Sequence, residues 1–452
     1  MSNSNDSAPN GASKPTFTIG TTLPSDATDE LCPRLGTLQL PGRRTIETPN
    51  FTAVTSRGVI PHLTPEVVSK YTSFSSAYIA LEDFLEKKDH AILKMPTTDR
   101  PLHAFTSFPA HIPTIVAARR CPSVLAPAGN TAKNISIFTS TGFSTITVPK
   151  FAATVAHIRP DIVIALADLL HISLDPSLKK KIRMADRTES WMDEFLELVN
   201  ADVRESAGIK VFAPILPIDH TTQWAYINHL NEDLSGDLAG LAIYDVNILP
   251  DLQLYKNLTS LPKLSLDLPK TPHDVLRQVA LGVDLVLASF VNVISDAGIA
   301  FSFTLPTDGD ISMDGDIGAI MPLGIDMSET AHATSLEPLL ADCACYTCTK
   351  HHRAYVNHLL HAKEMLGWNL LQIHNHHVLS VFFSSIRAAI GRGTFEAARE
   401  AFGRAWDVDF PQGMGERPRA RGYHFKSEVS QEKYNKPGWK GLESGQGVMA
   451  DV

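Results

Sequence analysis

Residues 161–168 read D-I-V-I-A-L-A-D, and four more stretches repeat the type: I-K-V-F-A-P-I-L (209–216), A-G-L-A-I-Y-D (239–245), P-K-L-S-L-D (262–267) and V-D-L-V-L-A-S (283–289). Each is a continuous apolar run of strand length. A run without alternation belongs to a strand buried on both faces, which is the habit of a parallel sheet. Between the runs lie helical patterns such as W-M-D-E-F-L-E-L-V-N (191–200) and T-P-H-D-V-L-R-Q-V-A-L-G (271–282). The second has Thr271 as cap, Pro272 at the first helical position and Gly282 past its end. Strand and helix in alternation over about 250 residues predict α/β architecture, a TIM-like (β/α)8 barrel rather than an open sheet. No Gly-x-Gly-x-x-Gly opens a helix, so a dinucleotide-binding sheet is disfavoured.

Working outward, residues 16–60 alternate and carry Gly and Pro punctuation, which predicts a small antiparallel sheet leading into the first core strand, F-T-A-V-T (51–55). Thr64 then caps a helix with Pro65 and Glu66 in its first turn, and Y-I-A-L (78–81) reads as a short buried strand. Residues 123–147 predict a hairpin or meander, followed by an amphipathic helix with Pro149 in its first turn. Beyond the barrel, two helices split near Gly367 and a third, T-F-E-A-A-R-E-A-F (394–402), are expected. The division predicted is a disordered tail over 1–15, sheet plus barrel over 16–330, a helical metal-binding subdomain over 331–410, and a polar, flexible tail over 411–452. That tail carries Arg417, Arg419, Arg421, Lys433 and Lys436, and a solvated reading is preferred to an RNA-contacting arm.

The chain has 452 residues, 44% hydrophobic and 20% charged, with net charge -9. An overall basic footprint for nucleic acid is therefore absent. No stretch has the length and polarity of a membrane span, and the first fifteen residues lack an apolar or Arg-rich targeting pattern. Cytoplasm is the expected compartment.

Three of the five cysteines fall in C-A-C-Y-T-C (343–348). Sulfurs so spaced can enter one small volume from a tight turn, and a histidine from a following helix would close a tetrahedral Cys3His shell around a structural zinc ion. A lone cysteine is usually a small hydrophobe, and a disulfide would need an oxidising compartment. Downstream candidates are His351, His352, His358, His361, His374, His376 and His377. His374 follows the apolar run W-N-L-L-Q-I and is expected inside. His351 and His352 sit beside Lys350 and Arg353, at what reads as a solvated helix start. The pattern C-x-C-x2-C-x25-H is no zinc-finger spacing.

With R-A-Y-V-N-H-L (353–359) and L-L-Q-I-H-N (370–375) after it, this cluster resembles the zinc subdomain of the tRNA-guanine transglycosylases. The resemblance extends to T-P-N-F-T-A-V-T-S-R-G-V-I-P-H-L-T-P-E (48–66), to D-I-V-I-A-L-A-D and to G-V-D-L (282–285), so it covers about residues 30–405. It implies Cys343, Cys345, Cys348 and His374 as ligands of one structural Zn2+ per subunit. It also implies an aspartate that attacks the ribose C1′ and holds a covalent intermediate. Here that position falls on Leu287, which cannot attack. Asp284 survives, at the expected start of the strand.

Three further positions depart from the family pattern. A-P-A-G-N-T (126–131) holds no carboxylate, Ala167 precedes Asp168 where two acids stand, and Tyr244 replaces a glycine. The combination is similar to the family's non-catalytic subunits, which implies a heterodimer with a catalytic subunit, tRNA held within the complex, and room for a homodimer when the chain is alone. Peripheral attachment to the mitochondrial outer membrane is compatible with it. The alternatives are an active transglycosylase with a relocated carboxylate, drawn from Asp168, Asp284 and Asp296, or a zinc-scaffolded barrel with an unrelated binding role.

Overall fold

The computed structural model describes residues 16–22, 32–85, 90–96, 99–124, 129–139, 142–170, 176–306, 320–413, 415 and 418. The N-terminal tail, most of the C-terminal tail with its five expected cations, and residues 126–128 of the A-P-A-G-N-T stretch lie outside them.

The chain begins with a three-stranded antiparallel sheet, β1 (Phe17–Thr22), β2 (Arg34–Leu38) and β3 (Ile46–Thr48). Then come β4 (Asn50–Val54), α1 (Pro65–Tyr71), β5 (Ser76–Ala80), α2 (Pro101–Thr106) and β6 (Thr114–Ala117). A hairpin of β7 (Asn134–Thr139) and β8 (Gly142–Thr147) intervenes before α3 (Val148–Ile158) and β9 (Ile162–Ile164). The alternation continues through α4 (Leu178–Leu198), α5 (Ala201–Ala207), β10 (Lys210–Ile215), α6 (His220–Glu232) and β11 (Gly240–Ile243). It ends with α7 (Leu249–Leu252), α8 (Lys256–Thr259), β12 (Lys263–Ser265), α9 (Pro272–Ala280), β13 (Leu285–Leu287) and α10 (Phe290–Asp296).

Strands β4, β5, β6, β9, β10, β11, β12 and β13 close into a parallel barrel, sealed where Leu287 stands opposite Thr52. The apolar runs explain the closure. On β13, Leu285 and Leu287 join an interior cluster with Ile162, Ile164, Phe212 and Leu264, while Val286 joins the outer layer packed on the helices. A strand whose successive side chains alternate between two dry environments has no polar face to offer water.

The N-terminal sheet plugs the base of the barrel. Leu38, Leu40 and Ile46 pack into the interior cluster. Two aspartates, each one residue before a barrel strand, lock the plug in place. Asp284 pairs with Arg34 at 2.6 Å and accepts the Lys263 amide at 2.8 Å. Asp161 takes Arg43 at 2.8 Å, Arg100 at 3.0 Å and the Thr114 amide at 2.9 Å. Each carboxylate is paired with arginine and accepts a backbone amide, which is what permits burial of the charge.

The expected caps form. Thr64 accepts the Val67 amide, Thr147 accepts that of Lys150, and Thr271 and Asp274 make a capping box. Gly282 follows α9 with φ +83°, a left-handed turn that a side chain resists.

After the barrel, β14 (Ile299–Phe301) pairs antiparallel with β15 (Gly324–Asp326). The helices are α11 (Tyr346–Lys350), α12 (Arg353–His361), α13 (Met365–Arg392) and α14 (Phe395–Ala405). The expected split near Gly367 lies instead between His361 and Met365, where Lys363 turns left-handed at φ +59°. Gly367 sits inside the first turn of α13 because a Cβ there would come within 3.1 Å of Leu360 and 3.2 Å of Leu359. Its role is close helix packing, not helix termination.

Candidate metal centre and barrel mouth

Cys343 precedes α11, Cys345 caps its N-terminus and Cys348 lies in its first turn, so the start of one short helix and the turn before it present all three sulfurs. The Cys345 Sγ accepts the Cys348 amide at 3.3 Å. His374 is fully buried on α13, and its Nδ1 lies 3.7, 3.5 and 3.4 Å from the sulfurs of Cys343, Cys345 and Cys348. The four donor atoms fall within 4.8 Å of one another. Zinc bonds of about 2.3 Å to sulfur and about 2.0 Å to nitrogen would put S and N donors of a tetrahedron about 3.5 Å apart. The group therefore has the dimensions to hold a metal ion. The His374 Nε2 donates to the Phe301 carbonyl at 2.9 Å, which leaves Nδ1 bare toward the sulfurs.

The other histidines are disposed elsewhere. His376, two residues on, faces the opposite side of α13, stacked on Phe51 and beside Gln372. Burial drives its pKa down to about 3, so it is a neutral core residue. His352 caps α12 through its Nδ1, His351 stacks on Tyr355, and His358 and His361 are exposed. His377 lines a cleft of about 360 Å³ beside Cys343.

The barrel mouth, at the C-terminal ends of the strands, is where barrels of this type carry chemistry. Leu287 ends β13 there, wholly buried and facing inward. A cavity of about 220 Å³ lies at this end, lined by Tyr78, Arg119, Cys121, Asn130, Tyr244 and Leu266 among others. Burial raises the Tyr78 and Tyr244 hydroxyls well above the usual phenol range and the Cys121 thiol up to about 11. None of the three is ionised at neutral pH.

The three candidate carboxylates are scattered. Asp284 sits at the base of the barrel, the far end of the same strand as Leu287, and is consumed by Arg34. Asp168 does reach the mouth, but it is buried against Arg187 at 3.0 Å and Asn130 at 2.8 Å. Asp296 ends α10 and takes the His62 imidazole at 2.6 Å. The structure thus does not bring them together. The partners Arg187, Asn130 and Arg34 have no signal in the local sequence, because each meets its aspartate across the fold.

Among the described residues, no helix is long and apolar enough to cross a membrane.

Residues 29–408 match the family described as queuine tRNA-ribosyltransferase. A protein of Schizosaccharomyces pombe named queuine tRNA-ribosyltransferase accessory subunit 2 is 32% identical over 406 residues, 89% of this chain and 88% of its own length. Proteins of the same name from Drosophila pseudoobscura and Xenopus laevis are 28% and 27% identical, over 79% and 81% of this chain and 86% and 95% of theirs. With the match running from the second strand of the plug to the last helix, the chain belongs to the queuine tRNA-ribosyltransferase family.

Proposed function

We propose that this chain is the non-catalytic subunit of a heterodimeric queuine tRNA-ribosyltransferase. It stabilises a separate catalytic subunit and helps to hold tRNA while guanine is exchanged for queuine at the wobble position of tRNAs with GUN anticodons. The observation that carries the reading is Leu287. An apolar, fully buried side chain stands at the mouth end of β13, where the family resemblance puts the attacking carboxylate. Asp168, a candidate acid at the mouth, is buried and tied to Arg187 and Asn130. The accessory-subunit names of the relatives agree with this.

The metal is read as zinc, one per chain. Three thiolates and one imidazole in a tetrahedral set suit that ion, and a four-donor shell leaves no position for substrate. Its contribution is to folding, on the order of 10 kcal/mol of binding free energy. The work divides between the sheet and barrel over 16–330 and the metal-bearing unit over 331–410. Five free cysteines, three of them gathered as donors, suit a reducing cytoplasm.

The test is exchange of guanine or queuine into tRNA by the purified chain, alone and mixed with a catalytic subunit bearing the attacking aspartate. Activity is expected only in the mixture, and turnover by the chain alone would overturn the reading. For the metal, Cys345→Ala should reduce zinc from one per chain to none. Full zinc content in that variant would contradict the ligand assignment.

A further inference from the structure

We propose that the first turns of α4 form a surface that grips the phosphate backbone of RNA at the rim of the closed barrel mouth. This inference rests on the reading of the chain as a subunit of a tRNA-modifying complex. The 21-residue helix opens L-K-K-K-I-R, placing Lys179, Lys180, Lys181 and Arg183 within its first six residues. Lys179, Lys180 and Arg183 are exposed, and none of them makes an ion pair among the described residues. Lys181 reaches Asp219, on the loop after β10, at 3.8 Å.

Two features set this cluster apart from an ordinary solvated face. First, its charges run against the helix dipole. A helix favours acids in its first turn and cations in its last. Here the first turn holds no acid and the last no base, while Glu189, Asp193, Glu194 and Glu197 crowd the second half. Asp219 answers Lys181 alone of the four cations, and a polyanion laid on the first turns would offset the rest. Second, the cluster is local in a chain of net charge -9 and sits at one place in the fold. The helix follows β9, so its first turns stand beside the mouth. Arg187, one turn further on, reaches Asp168 and the Asn130 carbonyl there.

Leu178 and Ile182 lie one turn apart beside the cations, 64% and 44% exposed. Apolar side chains among lysines suit the sugar faces between phosphates, and they also suit a lipid surface. RNA is favoured because two exposed apolar residues are too few for an interfacial helix, whose apolar face extends over several turns.

The experiment uses the full chain carrying Lys179→Glu, Lys180→Glu and Arg183→Glu together, assembled with its catalytic partner. Acidic residues at a helix start favour the helix, so the variant should melt no lower than the parent. The expected result is tRNA binding at least about 10-fold weaker at physiological salt, with the slope of log Kd against log salt reduced by about 2. Unchanged affinity and slope would overturn the proposal. So would loss of binding to vesicles of phosphatidylserine with tRNA affinity intact, which would make the surface a lipid one. If the parent chain and the catalytic subunit fail to associate, by native mass measurement, the subunit reading falls. The Kd and salt slope of the chain alone then decide this inference by the same criteria.

Discussion

The two ends of the barrel invert the usual distribution of charge. The base buries Asp161, Asp284, Arg34 and Lys263, and gives each aspartate two or more donors. The mouth of the same barrel holds Leu287, Ala167, Tyr78 and Tyr244, and buried acids that follow its strands are already paired, Asp168 with Arg187 and Asn130, Glu82 and Asp83 with Arg120. In a barrel enzyme the C-terminal end carries the reacting groups, and the N-terminal end carries stability. Here the second assignment is intact, and the first carries a leucine at the end of β13. The contrast is sharpest on β13, where Asp284 and Leu287 stand three residues apart on one strand and serve opposite ends. Keeping a carboxylate in the motif says nothing about reactivity until its end of the strand is known.

The largest expected effect that would break this contrast comes from the base. Asp284→Ala leaves Arg34 buried without its partner, and removing one member of a buried pair costs about 3–5 kcal/mol. Denaturant unfolding should register that loss. If stability holds while base exchange by the assembled enzyme collapses, Asp284 belongs to the chemistry and the two ends have been misassigned. Next comes the mouth. Leu287→Asp puts a carboxylate in a dry interior, which raises its pKa and destabilises the chain by about 3 kcal/mol at neutral pH. The purified variant should form no covalent adduct with tRNA on a denaturing gel, because Tyr244 and Tyr78 still fill the approach. An adduct would mean that a single side chain silences the site.

The smallest effect is electrostatic. Burial, reinforced by the Arg34 charge, pushes the Lys263 pKa down to about 8 from the usual 10.5. Between those values the unfolded chain holds a proton that the folded chain has released, so stability rises with pH from about 8 to 10.5. The penalty is present in full below pH 8. Lys263→Met should therefore be more stable than the parent by about 3 kcal/mol at pH 7, with the advantage shrinking toward pH 10.5 in urea titrations. A gain that does not change with pH would show that packing, not charge, is responsible.

Much of the architecture could be read from residues alone because it depends on local pattern. The five apolar runs each supply a barrel strand, and the Cys343, Cys345 and Cys348 spacing puts three donors at the start of one short helix and the turn before it. His374 was singled out because an apolar run precedes it, and that run buries it. The rest depended on contacts between distant segments. Arg34 and Asp284 are 250 residues apart, and Arg187 meets Asp168 across the β9–α4 connection. Gly367 looked like a helix break because glycine often is one, whereas the turn is made by Lys363 and the glycine serves the packing of α12 on α13. The run of lysines opening α4 is plain in the sequence, but its meaning needed the fold to place it beside the mouth.

The Arg34–Asp284 clamp has one more consequence. A strand of three residues has few rungs of its own, and its side chains would swap inside for outside if it slid by one. Fastened at its foot to the plug, β13 cannot creep upward to offer a different side chain at the rim. On the proposed reading, a reactive group at that spot would have to come from a new residue, since the frame that holds the leucine there also forbids the strand from trading places with itself.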